Sequence, residues 1–236
     1  MSDWAAKRFW KEATVVAVEG GFTVMLDGRG VKTPAKTPLV VPTKALADAI
    51  AAEWDAQGEK VDPLTMPVTR GANAALDKVA IQKAEVAEML AAYGDSDLLC
   101  YRAAGPKELV ALQSAAWDPL LEWSSSDLGA PLDSHEGVMH VPQNQASLDA
   151  LTRHVTELDN FALAAFHDLV AMSGSLVLAL AVIKRRLSAA DAWRMSRVDE
   201  DWQISQWGED DEAQATAAIK HSAFLAAARF YEMTLT

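Results

Sequence analysis

The chain has 236 residues, half of them hydrophobic, and sets 21 basic against 33 acidic side chains for a net charge of −12. That length buries a core in one large or two small domains, and the acidic balance argues against nucleic acid as a partner, since no basic surplus is present to displace counterions. The single cysteine, Cys100, forms no internal disulfide, which points to a reducing compartment.

The N-terminus "MSDWAAKRFWKEATVV" lacks the apolar run of a secretory signal and the acid-poor character of a transit peptide, so a cytoplasmic location is expected. Residues 13 to 41 read as β-structure, with a hairpin around Gly20-Gly21 and a second turn at Asp27 to Gly30. Pro34, Pro38 and Pro42 suit strand ends and edges. Thr43 is placed to cap a helix carrying Leu46, Ile50 and Trp54 at four-residue spacing. Trp54 on that stripe is expected to anchor the helix to the sheet. "VDPLTMPVTR", from 61 to 70, reads as an extended segment able to rejoin the sheet.

From about residue 70 the periodicity is helical. Leu76, Val79, Val86, Leu90 and Tyr93 line one helix, ended by Gly94. Pro106 opens another, with Pro119 as an expected kink. A loop over 129–144 is followed by helices at 147–158 and 160–186, the latter interrupted near Ser173-Gly174-Ser175. Two more run over 188–207 and about 210–233. The run Leu169 to Ile183 is shorter than the roughly 20 residues of a membrane span, so it is expected as a core helix, without membrane insertion. The fold class is α+β: a small β-rich N-terminal domain with one helix over 1–69, then an all-helical domain of about six helices over 70–236.

Motifs for chemistry are sparse. No G-x-x-x-x-G-K loop is present, and Gly28-Arg29-Gly30 lacks the rest of a dinucleotide fingerprint, so neither a nucleotide nor another cofactor is expected. His135 and His140 are five residues apart in a loop, a spacing that matches no metal motif, and no metal is expected. Cys100 has no histidine beside it in sequence to activate it. Asp95 and Asp97 flank Ser96 after Gly94. They read either as an acid/base pair, which would make a hydrolase-like enzyme, as would a His/carboxylate site in the 129–144 loop, or as turn chemistry and a helix cap.

"RVDEDWQISQWGEDDEA", from 197 to 213, is the most distinctive stretch. Read as one helix, 188–207 carries two apolar stripes, Met195/Val198/Trp202 and, opposite, Trp193/Ile204/Trp207. A surface helix needs only one, so the second meets either core or a partner. Glu200 falls in that second stripe, seven residues from both tryptophans. It is half of an internal salt bridge, with Arg194, Arg197 or Arg229 available, or the acid of an aromatic groove awaiting a partner's cation. Glu209 to Glu212 suit the first turn of the next helix.

Three segments, "EWDAQGEKVDPLTMPVTR" at 53–70, "DSDLLCYRA" at 95–103 and "VDEDWQISQWG" at 198–208, resemble in order and spacing the assembly chaperones that handle the α subunit of the ATP synthase F1 sector, the ATP-twelve chaperones. The resemblance covers nearly the whole chain. It implies a two-part fold, no enzymatic activity, and binding of the unassembled F1-ATPase α subunit so as to shield the surface later covered by β. By position it marks Glu200 and Asp199 as functional acids and Trp54 as the family's N-terminal tryptophan; Trp207 and Trp193, from the second stripe, join the two acids as candidates for partner binding. Eukaryotic relatives are mitochondrial; this chain, starting without a presequence, is expected to be bacterial.

Overall fold

A computed structural model describes residues 7–235, which divide into two compact units. The first comprises residues up to 83 together with 160–165 and the chain from 229 onward. Strands β1 (Ala13–Val18) and β2 (Gly21–Leu26) pair antiparallel with Val18 opposite Gly21, so the two-residue turn is Glu19-Gly20, one position earlier than expected. Gly21 has a steric reason: a Cβ there would lie 2.2 Å from the Val41 carbonyl oxygen, in the strand β4 (Val40–Val41) that pairs with β2. Short β3 (Arg29–Gly30) also pairs with β2.

Helix α1 (Lys44–Asp55) starts where Thr43 Oγ1 accepts from the Leu46 N–H at 3.2 Å. Its Leu46 and Ile50 are fully buried in the same core as Val24, Leu39 and Val41. Trp54 is half-buried against that core, edge-on to Trp10 with ring centroids 5.1 Å apart.

The segment expected to be extended is instead a 3-10 turn at Pro63–Thr65 followed by helix α2 (Pro67–Ala74). Asp62 caps the turn, Pro67 occupies the first helical turn where its missing N–H costs nothing, and the Glu53 carboxylate accepts the Val68 and Thr69 N–H groups at 2.7 Å. The acid that stabilises this helix start is 14 residues upstream of Pro67, so local sequence hides it.

The expected domain boundary at 69/70 also differs from the observed division. Helix α2 belongs to the first unit, where a Cβ on Gly71 would lie 2.8 Å from the Phe230 ring. Phe230 and Ala165 fill the core beside Val24 and Ile50, and Thr43 Oγ1 donates to the Met233 carbonyl at 2.5 Å. A core this small needs apolar side chains from later in the chain.

The second unit, residues 84–159 and 166–228, contains most of α3 (Lys83–Ala91), then α4 (Lys107–Asp127), α5 (Gln145–Thr156), the end of α6 (Asn160–Ser173), α7 (Leu176–Ile183), α8 (Ala189–Met195), α9 (Val198–Trp207) and most of α10 (Asp211–Thr234). A parallel pair, β5 (Tyr101–Arg102) with β6 (His135–Glu136), lies within it. The expected six helices become eight because 160–186 and 188–207 each break in two. The first break falls at Ser173 to Ser175, where Gly174 takes φ +68° and Ser175 caps α7. Helix α7 is buried over all but one residue and anchors this core with Trp117, Phe166 and Phe224. Pro119 leaves α4 unbroken, and the expected helix from Leu76 to Tyr93 is interrupted near Gln82. No described helix is long and apolar enough to cross a membrane.

Candidate functional site

The acid- and tryptophan-rich stretch forms two helices, not one. Helix α8 closes where the Ser196 N–H donates to the Ala192 carbonyl and Ser196 Oγ to the Trp193 carbonyl, at 3.0 and 2.7 Å. Arg197 then leaves helical geometry (φ −115°, ψ 11°), and α9 begins with Asp199, Glu200 and Asp201 in its first turn, where acids complement the helix dipole. It ends at Gly208, whose φ of +88° suits only glycine. Asp210 Oδ1 accepts the Ala213 N–H at 2.7 Å and starts α10.

Despite the break, Trp193, Glu200, Ile204 and Trp207 line one groove of about 840 Å³ between α9 and α10. The α10 wall presents small side chains, Ala213, Thr216 and Ala217. The two tryptophans have opposite fates. Trp193 is 8% exposed and forms the floor, stacked on His221 (5.4 Å between centroids, 20° between planes) and packed against Phe224. Trp207 is 79% exposed.

The Glu200 carboxylate meets Arg197 Nη1 at 3.3 Å, and its side chain is half exposed. The internal partner and the open groove, set against each other as alternatives in the sequence, therefore coexist. Arg197 also lies over the Trp193 ring at 5.8 Å, which fixes the guanidinium at the groove's inner end.

Asp199 faces another way. Its Oδ1 accepts from Gln113 Nε2 at 2.6 Å, while Gln113 Oε1 accepts the Ala103 N–H at 2.8 Å. Trp117 Nε1 donates to the Met195 carbonyl at 2.8 Å. Helix α4 thus moors the α8–α9 junction through Gln113 and Trp117, neither of them singled out in the sequence. Gln113 did carry a signal: it is the polar residue on the Leu109/Trp117 face of an otherwise apolar helical stripe.

The second pair of candidate acids separates. Asp97 is wholly buried, and its carboxylate accepts from Leu99 N–H, Ser175 Oγ and Val177 N–H at 3.0, 2.7 and 3.0 Å. Burial pushes its pKa up to about 6 against the lowering effect of those bonds. It caps both the 98–100 turn and the start of α7. Asp95 instead accepts the Gln143 N–H at 2.7 Å and meets His140 Nε2 at 3.2 Å. Tyr101 approaches the other His140 nitrogen at 3.5 Å. Cys100 is buried, its thiol pushed up to about 12 chiefly by burial, so it is not a thiolate near neutrality. Among the described residues no three metal-ligating side chains converge.

These features define a class: a two-unit α+β protein whose helical unit opens an acid-rimmed, tryptophan-lined groove. Residues 7–125 match the family of ATP12 chaperone proteins, and the chain belongs to that family. The mitochondrial Atp12 protein of Schizosaccharomyces pombe is 27% identical over 219 residues, 88% of this chain and 75% of that protein. The crystal structure of Atp12 from Paracoccus denitrificans shares 48% identity at a TM-score of 0.94, covering 97% of this chain and 98% of that one. A point mutant of the same protein gives the same values. A chaperone candidate from Agrobacterium tumefaciens shares 44% identity at a TM-score of 0.92, over 96% of this chain and 85% of that one. The chain accordingly has a chaperone role in ATP synthase assembly.

Proposed function

We propose that this chaperone binds the unassembled α subunit of F1 through the α9–α10 groove and shields the surface that β later covers, without catalysis and without nucleotide, in the bacterial cytoplasm. One observation carries the reading: Trp207 stands 79% exposed beside a groove of about 840 Å³. A large aromatic residue left in water at a concave, charged-rimmed site is what a binding hot spot requires. In this reading Trp207 is the anchor, Trp193 the floor and Glu200 the acid that meets a partner's cation, exchanging Arg197 for it. Asp199 is a positioning residue that holds α9 through Gln113.

Co-expression with the α subunit of the same ATP synthase tests it. The wild-type chain keeps the α subunit soluble and co-purifies with it, and the β subunit does not replace α in the complex. Trp207→Ala keeps its melting temperature within about 1 °C, because an exposed ring contributes little to the fold, and loses at least tenfold in α-subunit capture. Capture of β in place of α, or equal capture by Trp207→Ala, refutes the proposal.

A further inference from the structure

The groove's walls and charges constrain what shape of segment fits. Both walls are helices whose main-chain groups are already hydrogen-bonded within their own turns. An extended peptide laid between them would bury its N–H and C=O groups with no ladder to join. A helix satisfies its own. Helix α10 contributes to the lining from Glu212 to His221, roughly 14 Å at 1.5 Å per residue, the length of two to three helical turns. Along that wall Ala213 and Ala217, four apart, leave room for another helix to come close.

The charges are uneven along this length. At the inner end, Glu200 and Asp201 are balanced by Arg197 and Lys220. At the end beside the Gly208 turn, Asp210 and Glu212 line the groove with no cation among its lining residues there, and no described ion pair engages either of them. The α9 C-terminus and the α10 N-terminus meet at that turn with opposite dipoles, so the side-chain charge decides the local field.

We infer that the groove takes an amphipathic α-helix of the α subunit, lying with its N-terminus and a lysine or arginine toward Trp207, Asp210 and Glu212, and its C-terminus toward Lys220. The inference rests on the proposed α-subunit binding and adds the conformation, direction and charge of the segment bound. Its apolar face seats on Ile204 and Trp207. The positive end of its dipole and its basic side chain meet Asp210 and Glu212, and the negative end of its dipole meets Lys220.

The test uses the full chain and recombinant α subunit as the probe. A photo-crosslinking residue, p-benzoylphenylalanine, replaces Gln214 near the turn or Ala218 farther in, and the joined residues are identified by mass spectrometry. Both positions crosslink to one α-subunit segment, at sites three, four or seven residues apart, with the Gln214 sites nearer that segment's N-terminus. Glu212→Lys lowers capture at least tenfold, whereas Glu212→Gln lowers it two- to fivefold. Crosslinks at alternate residues of a strand, the reverse order along the segment, a second copy of this chain in the groove, or unchanged capture by Glu212→Lys overturns the inference while leaving α-subunit binding intact. Absence of capture by the wild-type chain removes the underlying functional reading instead.

Discussion

Asp97, from the segment "DSDLLCYRA", caps two segments from a wholly buried position, and that burial makes a measurable claim. Its folded pKa lies near 6 against an ordinary value of 3.8. A carboxyl raised in this way favours the folded state below pH 3.8, and that contribution is lost as pH rises through 6. Each tenfold change in a proton-binding constant is worth about 1.36 kcal/mol, so the ionised group costs the fold roughly 3 kcal/mol at pH 7 and roughly 1.6 kcal/mol at pH 5. The wild-type protein therefore regains about 1.3 kcal/mol from this one group on acidification from pH 7 to pH 5. Asp97→Asn abolishes the titration. It retains one oxygen for Leu99 and Ser175 but sets an N–H₂ against the Val177 N–H, a loss of about 1–3 kcal/mol that offsets relief of the buried charge at pH 7. Thermal melts of both proteins at pH 5 and pH 7 isolate the contribution of Asp97, because all other groups cancel in the difference. The wild type should gain roughly 3–5 °C relative to the variant as pH falls. A difference that stays constant with pH, or that moves in the variant's favour on acidification, refutes the assignment of Asp97 as a buried structural clamp.

Three further outcomes are expected. Glu200→Gln removes a half-exposed pair with Arg197, worth no more than about 1 kcal/mol, so the fold survives while capture of the α subunit weakens; Glu200→Lys, which places like charge beside Arg197, abolishes capture. A loss of several kcal/mol in Glu200→Gln by chemical denaturation contradicts the exposed geometry. Trp54→Ala opens a space beside Trp10 and destabilises the first unit by about 2–4 kcal/mol, seen as lower soluble yield and an earlier denaturation midpoint; an unchanged midpoint with lost capture moves Trp54 to the binding surface. Gln113→Ala leaves the Ala103 N–H and Asp199 without their shared partner, costs about 1–3 kcal/mol, and speeds amide hydrogen exchange across α9, whereas exchange unchanged from wild type argues against the mooring role.

The elements legible in the sequence are those set within a turn or two of chain. The β1–β2 hairpin follows from two glycines that permit positive φ, the Thr43 cap from a hydroxyl three residues before an orphan N–H, and the α6–α7 break from Gly174 between two serines. The order of three motifs along the chain likewise sufficed for the family. The break at Ser196-Arg197 was not legible, because neither residue is a helix breaker and the α4 contacts that hold it come from Gln113 and Trp117, about 80 residues away.

The same distinction governs the site. Sequence alone determined that tryptophans and a carboxylate recur at helical spacing, so Trp193, Glu200 and Trp207 emerged together as candidates, and they do line one groove. Which of them is floor and which is surface was decided by the tertiary structure: His221 and Phe224 of α10 close over Trp193, while Trp207 is left largely in solvent. Asp199 and Glu200 differ in the same way, one turned to Gln113 and the other to Arg197 within the groove. Periodicity states which side chains share a face, since that depends on backbone geometry alone. It cannot state what packs on the face, because burial is a property of segments brought together from far along the chain.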